Sequence, residues 1–207
     1  MRVYIRISTN GSGRKMIDHG NNTIDRQLFD AFKELAVKLP IEKITIRQIT
    51  DQAGVIRATF YNHFADKYRL IESIITTELL EPVRPLLKNG MLLEAMVVLL
   101  SNIETDRAFY SRLVRLQEPI SFQDLFVQCA AKELELVVND MESGKKYVYG
   151  WIKPEVIAAY YAQSICFVIT EWIQKGMHLP ARLAAEEYFI LLSHPVNDMI
   201  GCLKQAE

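Results

Sequence analysis

The stretch TIRQITDQAGVIRATFYNHFADK, Thr45 to Lys67, limits what this chain can fold into more than any other. Two short helical patterns meet at Ala53-Gly54, which leaves room only for a tight turn between them. Thr45 is a capping residue ahead of the first pattern, which runs to about Gln52 and buries Ile46 and Ile49. Val55 and Phe60 point back into the same small core, and the second pattern spans about Ile56 to Asn62. Two short helices with a glycine turn and a shared core make a helix-turn-helix, whose second helix can enter a DNA groove.

A major groove admits one helix, so that helix must keep its apolar side narrow and show a row of readable side chains. Arg57, Ala58, Thr59, Tyr61, Asn62 and His63 offer such a row. Arg57 can donate two hydrogen bonds to guanine, and Ala58 and the Thr59 methyl can rest against thymine methyls. Tyr61 and His63 can reach phosphates. Thr45, Arg47 and Lys67 lie at helix starts, where backbone amides and positive charge favour a phosphate. Taken singly, Tyr61 and Phe64 could be core aromatics and His63 a structural histidine; the motif as a whole points to DNA.

AGVIRATFYNHFADKYRL resembles the signature of TetR-family transcriptional regulators. There a Gly-Val turn leads into Phe/Leu-Tyr-x-His-Phe and then a lysine near the start of the fourth helix. The resemblance covers Ile24 to about Leu80; beyond it, a pattern near EWIQKGM resembles one subgroup more loosely. It implies a three-helix DNA-binding head, a helical ligand-binding and dimerising body, and a dimer on a partly palindromic operator. Carried over position by position, it implies DNA contacts at Thr45, Arg47, Arg57, Ala58, Thr59, Tyr61, Asn62, His63 and Lys67. Two positions depart from the pattern. Ile56 stands where the family usually has a small polar cap, so the recognition helix starts less firmly or Ile56 touches DNA apolarly. Thr50 replaces a common alanine at a packed helix contact, where its hydroxyl can bond back to the preceding turn.

Charge agrees with this division. Residues 1–70 carry 12 Lys+Arg against 7 Asp+Glu, and the remainder carries 12 against 18. A basic head on an acidic body is the electrostatic footprint of a protein that meets DNA at one end.

Around the motif the chain reads as all-α, with about nine helices in total. Residues 1–22 alternate like a strand at Val3, Ile5 and Ile7 but have no partner, and are expected to be a disordered arm or leader, or a basic arm (Arg14, Lys15) touching the DNA backbone. Thr23 is expected to cap the first helix, with Ile24, Leu28, Phe32, Leu35 and Leu39 on its buried face and Pro40 at its end. Residues 23–68 form the DNA-binding domain and 69–207 the regulatory and dimerisation domain. A helix from Asp66 to about residue 81, with Ile71, Ile74, Ile75 and Leu79 inward, links the two. Pro82 and Pro85 should kink or break it. Further helices are expected at about 91–103, 106–116, 121–141, 154–175 and 181–203, the last kinked or split by Pro195.

The helix from Pro154 is apolar nearly all round, so it must be buried on several sides. Ala158, Ala162, Ile165, Ile169 and Trp172 make one apolar face; Tyr160, Ser164, Phe167 and Glu171 make a mixed one. The mixed face could line a pocket with Phe109 and Phe126 for a small hydrophobic or amphipathic effector, or could simply pack. A homodimer through the last two helices would cover the rest.

Other classes find little support. No nucleophile–base pair, phosphate loop or metal spacing is visible, and His19, His63, His178 and His194 stand apart, so neither an enzyme nor a metal or cofactor site is expected. No apolar run reaches the ~18 residues a membrane span needs. Cys129, Cys166 and Cys202 are widely spaced and odd in number, as in a reduced cytoplasm. The favoured function is a ligand-controlled dimeric repressor in the cytoplasm. The alternative is a DNA-binding regulator, an activator included, whose body binds a protein partner or acts without a ligand.

Overall fold

The computed structural model describes residues 15–141 and 152–194, with side chains from Thr23 onward. Among these residues there are ten α-helices and no strand. The extra helix relative to expectation is a five-residue piece cut off by the prolines. The strand-like residues 1–7 and Arg14, the SGKK-YVYGW connection and Pro195 with the residues after it fall outside the described residues.

Helix α1, Lys15–Lys38, begins eight residues before the expected cap, so Thr23 lies inside it and not at its start. Leu28, Phe29, Phe32 and Ala36 are buried along it. Pro40 stops it and leads into a single 3-10 turn, Ile41–Lys43. Helix α2, Ile46–Ala53, opens on a reciprocal capping box: the Thr45 hydroxyl accepts from the Gln48 amide while the Gln48 side chain accepts from the Thr45 amide. Gly54 closes it in the left-handed region, φ 69°, which a glycine adopts without strain. Helix α3, Arg57–His63, follows two residues later. Ile49, Phe60 and Phe64 join the aromatic face of α1 to make the core of this three-helix unit.

Helix α4, Lys67–Ile74, is capped by Asp66, whose carboxylate accepts from the Tyr68 and Arg69 amides. Its expected inward stripe, Ile71, Ile74, Ile75 and Leu79, is fully buried. The helix does not run evenly to residue 81. From Ile75 to Leu80 it widens into a π segment, then turns and resumes as α5, Arg84–Lys88. Pro82 explains the break: it lacks the amide that would bond the Glu78 carbonyl, and its ring crowds that oxygen. Asn102 takes the missing donor's place, its side-chain amide lying 2.9 Å from Glu78 O.

The remaining helices are α6 (Leu92–Thr105), α7 (Arg107–Leu113), α8 (Phe122–Met141), α9 (Pro154–Gln174) and α10 (Ala181–Ser193). In the body α8 lies along α9 and α10 along α6, while α7 packs back on α1. By length and composition α9 is apolar enough to cross a membrane, which corrects the expectation that no apolar stretch is long enough; its few polar side chains are spread along it. Its Ala158, Ala162, Cys166, Ile169, Trp172 and Ile173 are instead buried within the protein. Burial pushes the Cys166 thiol up to about 11 and raises Cys129 above its ordinary value, so both stay protonated at neutral pH.

Candidate nucleic-acid interface and the body cavity

The geometry of α3 follows from which of its residues the three-helix core takes. Phe60 is buried and Phe64 nearly so, and this fixes the opposite side of the helix toward solvent. Arg57, Ala58, Tyr61 and Asn62 are exposed there, with Thr59 half-buried beside them. Arg57 is already positioned: its Nη2 donates to the Tyr61 hydroxyl at 3.3 Å, and its guanidinium lies 5.8 Å from the centre of the Tyr61 ring. On α2, Thr45 and Arg47 are exposed on the neighbouring turn, Arg47 paired loosely with Asp51 at 3.5 Å.

His63 and Lys67 stand differently. His63 Nδ1 lies 2.6 Å from an Asp25 carboxylate oxygen, and its side chain is only 10% exposed, so it ties α3 to α1. The Lys67 ammonium donates to three carbonyls, those of Ile41, Glu42 and Ile44, at 2.7–3.0 Å. It thereby closes the end of the 3-10 turn onto the start of α4. Burial holds its pKa below the ordinary lysine value despite the nearby Glu42 carboxylate. Both side chains have internal partners in the free protein, which spacing in the sequence could not reveal.

Thr50 donates from its hydroxyl to the Arg47 carbonyl at 3.0 Å and is fully buried, so the departure from alanine is absorbed within α2. Ile56 is the N-cap of α3 and provides no side-chain cap; the helix opens on backbone bonds alone, with Thr59 N donating to Ile56 O at 3.0 Å.

Packing of α1 on α7 and a set of ion pairs join the head to the body besides the α4 connection. Phe32 of α1 meets Phe109 of α7 edge to face. Lys33, also on α1, donates to Glu78 at 2.8 Å and to Asp106 at 2.9 Å. Burial disfavours its charge, but the hydrogen bonds and charges of Glu78 and Asp106 outweigh that and hold Lys33 above the ordinary lysine range. The buried Tyr110 hydroxyl sits in the field of the same two carboxylates, and burial together with their charge raises its pKa well above normal.

The body holds an apolar cavity of about 270 Å3. Leu80 and Val83, from the end of the π segment and the turn after it, form part of its wall. Leu99, Phe126, Tyr161 and Tyr188 face it from α6, α8, α9 and α10. Its polar lining includes Arg84, which donates from Nε to Glu133 at 2.8 Å.

Of the six residues expected at a ligand site, only Phe126 lines this cavity. Phe109 is buried against Phe32 and Tyr110. Ser164 accepts from the Tyr188 hydroxyl at 2.8 Å, and Glu171 pairs with Lys175 at 3.3 Å. Tyr160 and Phe167 are 66% and 67% exposed, on the outside of α9. The cavity takes the neighbouring face, Tyr161 and Ile165. A helix apolar nearly all round gives no periodic signal for which face turns inward, and one residue is a rotation of about 100°.

Comparison with known proteins fits this arrangement. Residues 28–74 match the family described as bacterial regulatory proteins, tetR family, and residues 91–194 match one described as a transcriptional regulator C-terminal region. The chain is 24% identical over 149 residues to the HTH-type dhaKLM operon transcriptional activator DhaS of Lactococcus lactis, covering 72% of this chain and 79% of that one. Among solved structures, the dihydroxyacetone kinase operon activator DhaS superposes with a TM-score of 0.58 at 22% identity, over 82% of this chain and 93% of that one. NalD of Pseudomonas aeruginosa, described as the secondary repressor of a multidrug efflux pump, gives 0.54 at 15% identity, over 81% and 93%. A TetR transcriptional regulator from Streptococcus agalactiae gives 0.55 at 18%, over 88% and 100%.

Proposed function

The chain belongs to the TetR family of transcriptional regulators, and we propose that it is a dimeric repressor whose grip on DNA is set by a small effector. The observation that carries this reading is the exposed row Arg57, Ala58, Tyr61 and Asn62 on a helix whose other side is locked into a three-helix core. Residues 23–68 act as the head and 69–207 as the regulatory body. In the bound state Arg57 reads a guanine, Ala58 and Thr59 meet thymine methyls, and Thr45, Arg47, Tyr61 and Asn62 contact base edges or the backbone. His63 and Lys67 reach phosphate only by sharing or leaving the partners they have in the free protein.

The effector proposed is small and hydrophobic or amphipathic, because the cavity is mostly apolar with the Arg84–Glu133 pair in its lining. Leu80 and Val83 give it a route outward. Pressure on them moves the π segment, and with it Glu78 and the Lys33 contact to α1. Dimerisation is supported by the apolar side chains left exposed on the last two described helices, Tyr160 and Phe167 on α9 and Leu183, Ile190 and Leu191 on α10. A two-fold dimer would meet a partly palindromic operator, and a DNA-binding role fits a cytoplasmic protein.

An activator is the second reading, favoured by the description of the Lactococcus relative as an operon activator. In that case the body answers to a protein partner or acts without a ligand. Selection of bound duplexes from a random pool, followed by anisotropy titration, tests the core of both readings. Replacing Arg57 and Tyr61 by Ala is expected to weaken operator binding at least about 30-fold, with the thermal melt unchanged. Unaltered affinity removes the α3 assignment. A reporter driven by the selected operator then separates repression from activation.

A further inference from the structure

Ile56 is the most exposed large apolar side chain among the described residues, at 71%. It lies in the part of the molecule where solvent-facing residues are otherwise polar or small. It contributes neither to the hydrophobic core nor to a cap at the start of α3. Its backbone is extended, φ −83° and ψ 155°, a conformation that suits a β-branched residue, and such a residue has few rotamers to lose on docking. The Arg57 guanidinium is drawn one turn along the helix to Tyr61, which leaves the N-terminal lip of α3 to Ile56 and Ala58. In a helix-turn-helix the N-terminal residues of the second helix are those that meet base edges. Of the groups displayed in the major groove, the one an aliphatic side chain can recognise is the thymine C5-methyl.

We propose that Ile56 is a specificity-determining residue, reading one thymine methyl in each half-site of the operator. This rests on the assignment of α3 as the DNA-reading helix. It gives a base-specific role to a residue that the family pattern reserves for a polar cap, and makes part of the sequence preference apolar and insensitive to salt.

The test replaces each thymine of the selected operator in turn by deoxyuridine, which removes the methyl and leaves the pairing edge intact. Affinities are read by anisotropy at fixed salt with the wild-type chain, Ile56→Ala and Thr59→Ser. Besides any thymine that Ala58 or Thr59 meets, the wild type is expected to lose roughly fourfold at one thymine per half-site that Ile56 meets, as one buried methyl group implies. Ile56→Ala should bind more weakly and show no such loss at that position, while Thr59→Ser keeps it. Because Ile56 is exposed and outside the core, its variant is expected to melt with the wild type, and circular dichroism checks this. A flat deoxyuridine scan, or a scan in which every sensitive thymine stays sensitive in Ile56→Ala or the one lost there is lost in Thr59→Ser too, would overturn the role of Ile56 while leaving DNA binding intact. Failure to select any duplex overturns the DNA-reading assignment and this proposal with it.

Discussion

The head uses more of its polar side chains on caps and internal ties than the body does, where Ser121 at the start of α8 is the exception among the caps. In the head Thr45 and Gln48 cap each other, Thr50 bonds back within its helix, Asp66 caps α4, His63 reaches Asp25 and Lys67 holds three carbonyls. In the body α6, α7, α9 and α10 all start without a side-chain cap, and the interior keeps a cavity. Each missing cap leaves about 1 kcal/mol of helix stability unused. The difference teaches where deformation is affordable. The surface proposed to meet DNA is stapled except at the start of α3, whereas the helices around the cavity are more loosely terminated.

The largest expected effect tests the staple. Lys67→Met removes the donor from three carbonyls and should destabilise the protein by about 3 kcal/mol, read from urea unfolding followed by circular dichroism. A loss below about 1 kcal/mol would break the contrast, since the head would then not depend on its internal polar bonds. Next comes the joint. Lys33→Met leaves Glu78 and Asp106 facing each other, at a cost of about 1–2 kcal/mol given that both are partly solvated. The same variant should weaken the effector's influence on operator affinity while effector binding, measured by calorimetry, persists. Undiminished coupling would route the signal through the α4 backbone or the Phe32–Phe109 contact instead. The smallest effect is in the body. Ala130→Leu fills part of the cavity and should raise stability by about 1 kcal/mol while abolishing effector binding and sparing DNA binding. Retained effector binding would separate the effector site from this cavity.

Legibility in the sequence divides along the same line. Thr45–Lys67 was readable because each residue there answers a local demand: a cap at Thr45, a left-handed turn at Gly54, a core contact at Phe60. The all-α class and the buried stripe of α4 followed from spacing. The start of α1 was misplaced because Thr23 has the chemistry of a cap but lies mid-helix, and propensity alone does not say which capping residue is used. Pro82 announced a break but not a π segment, whose formation depends on packing and on Asn102, 24 residues away, being present to satisfy Glu78. The internal partners of His63 and Lys67 lie 38 and 23–26 residues distant, beyond any local pattern. The cavity wall on α9 was assigned to Tyr160 when it belongs to Tyr161, because an apolar helix carries no phase marker.

Phase has a second consequence, in the π segment itself. A π turn holds one residue more than an α turn would, so Ile75–Leu80 is in effect a single-residue insertion carried as a bulge. Straightening the bulge into an even α-helix with all its residues kept would rotate everything beyond it by about 100°. Leu80 and Val83 would swing off the cavity wall, although the distance from head to cavity would change by only about 1.5 Å. The two halves of this protein are therefore held in phase by the bulge, and an even helix made of the same residues would leave both intact but turned away from each other.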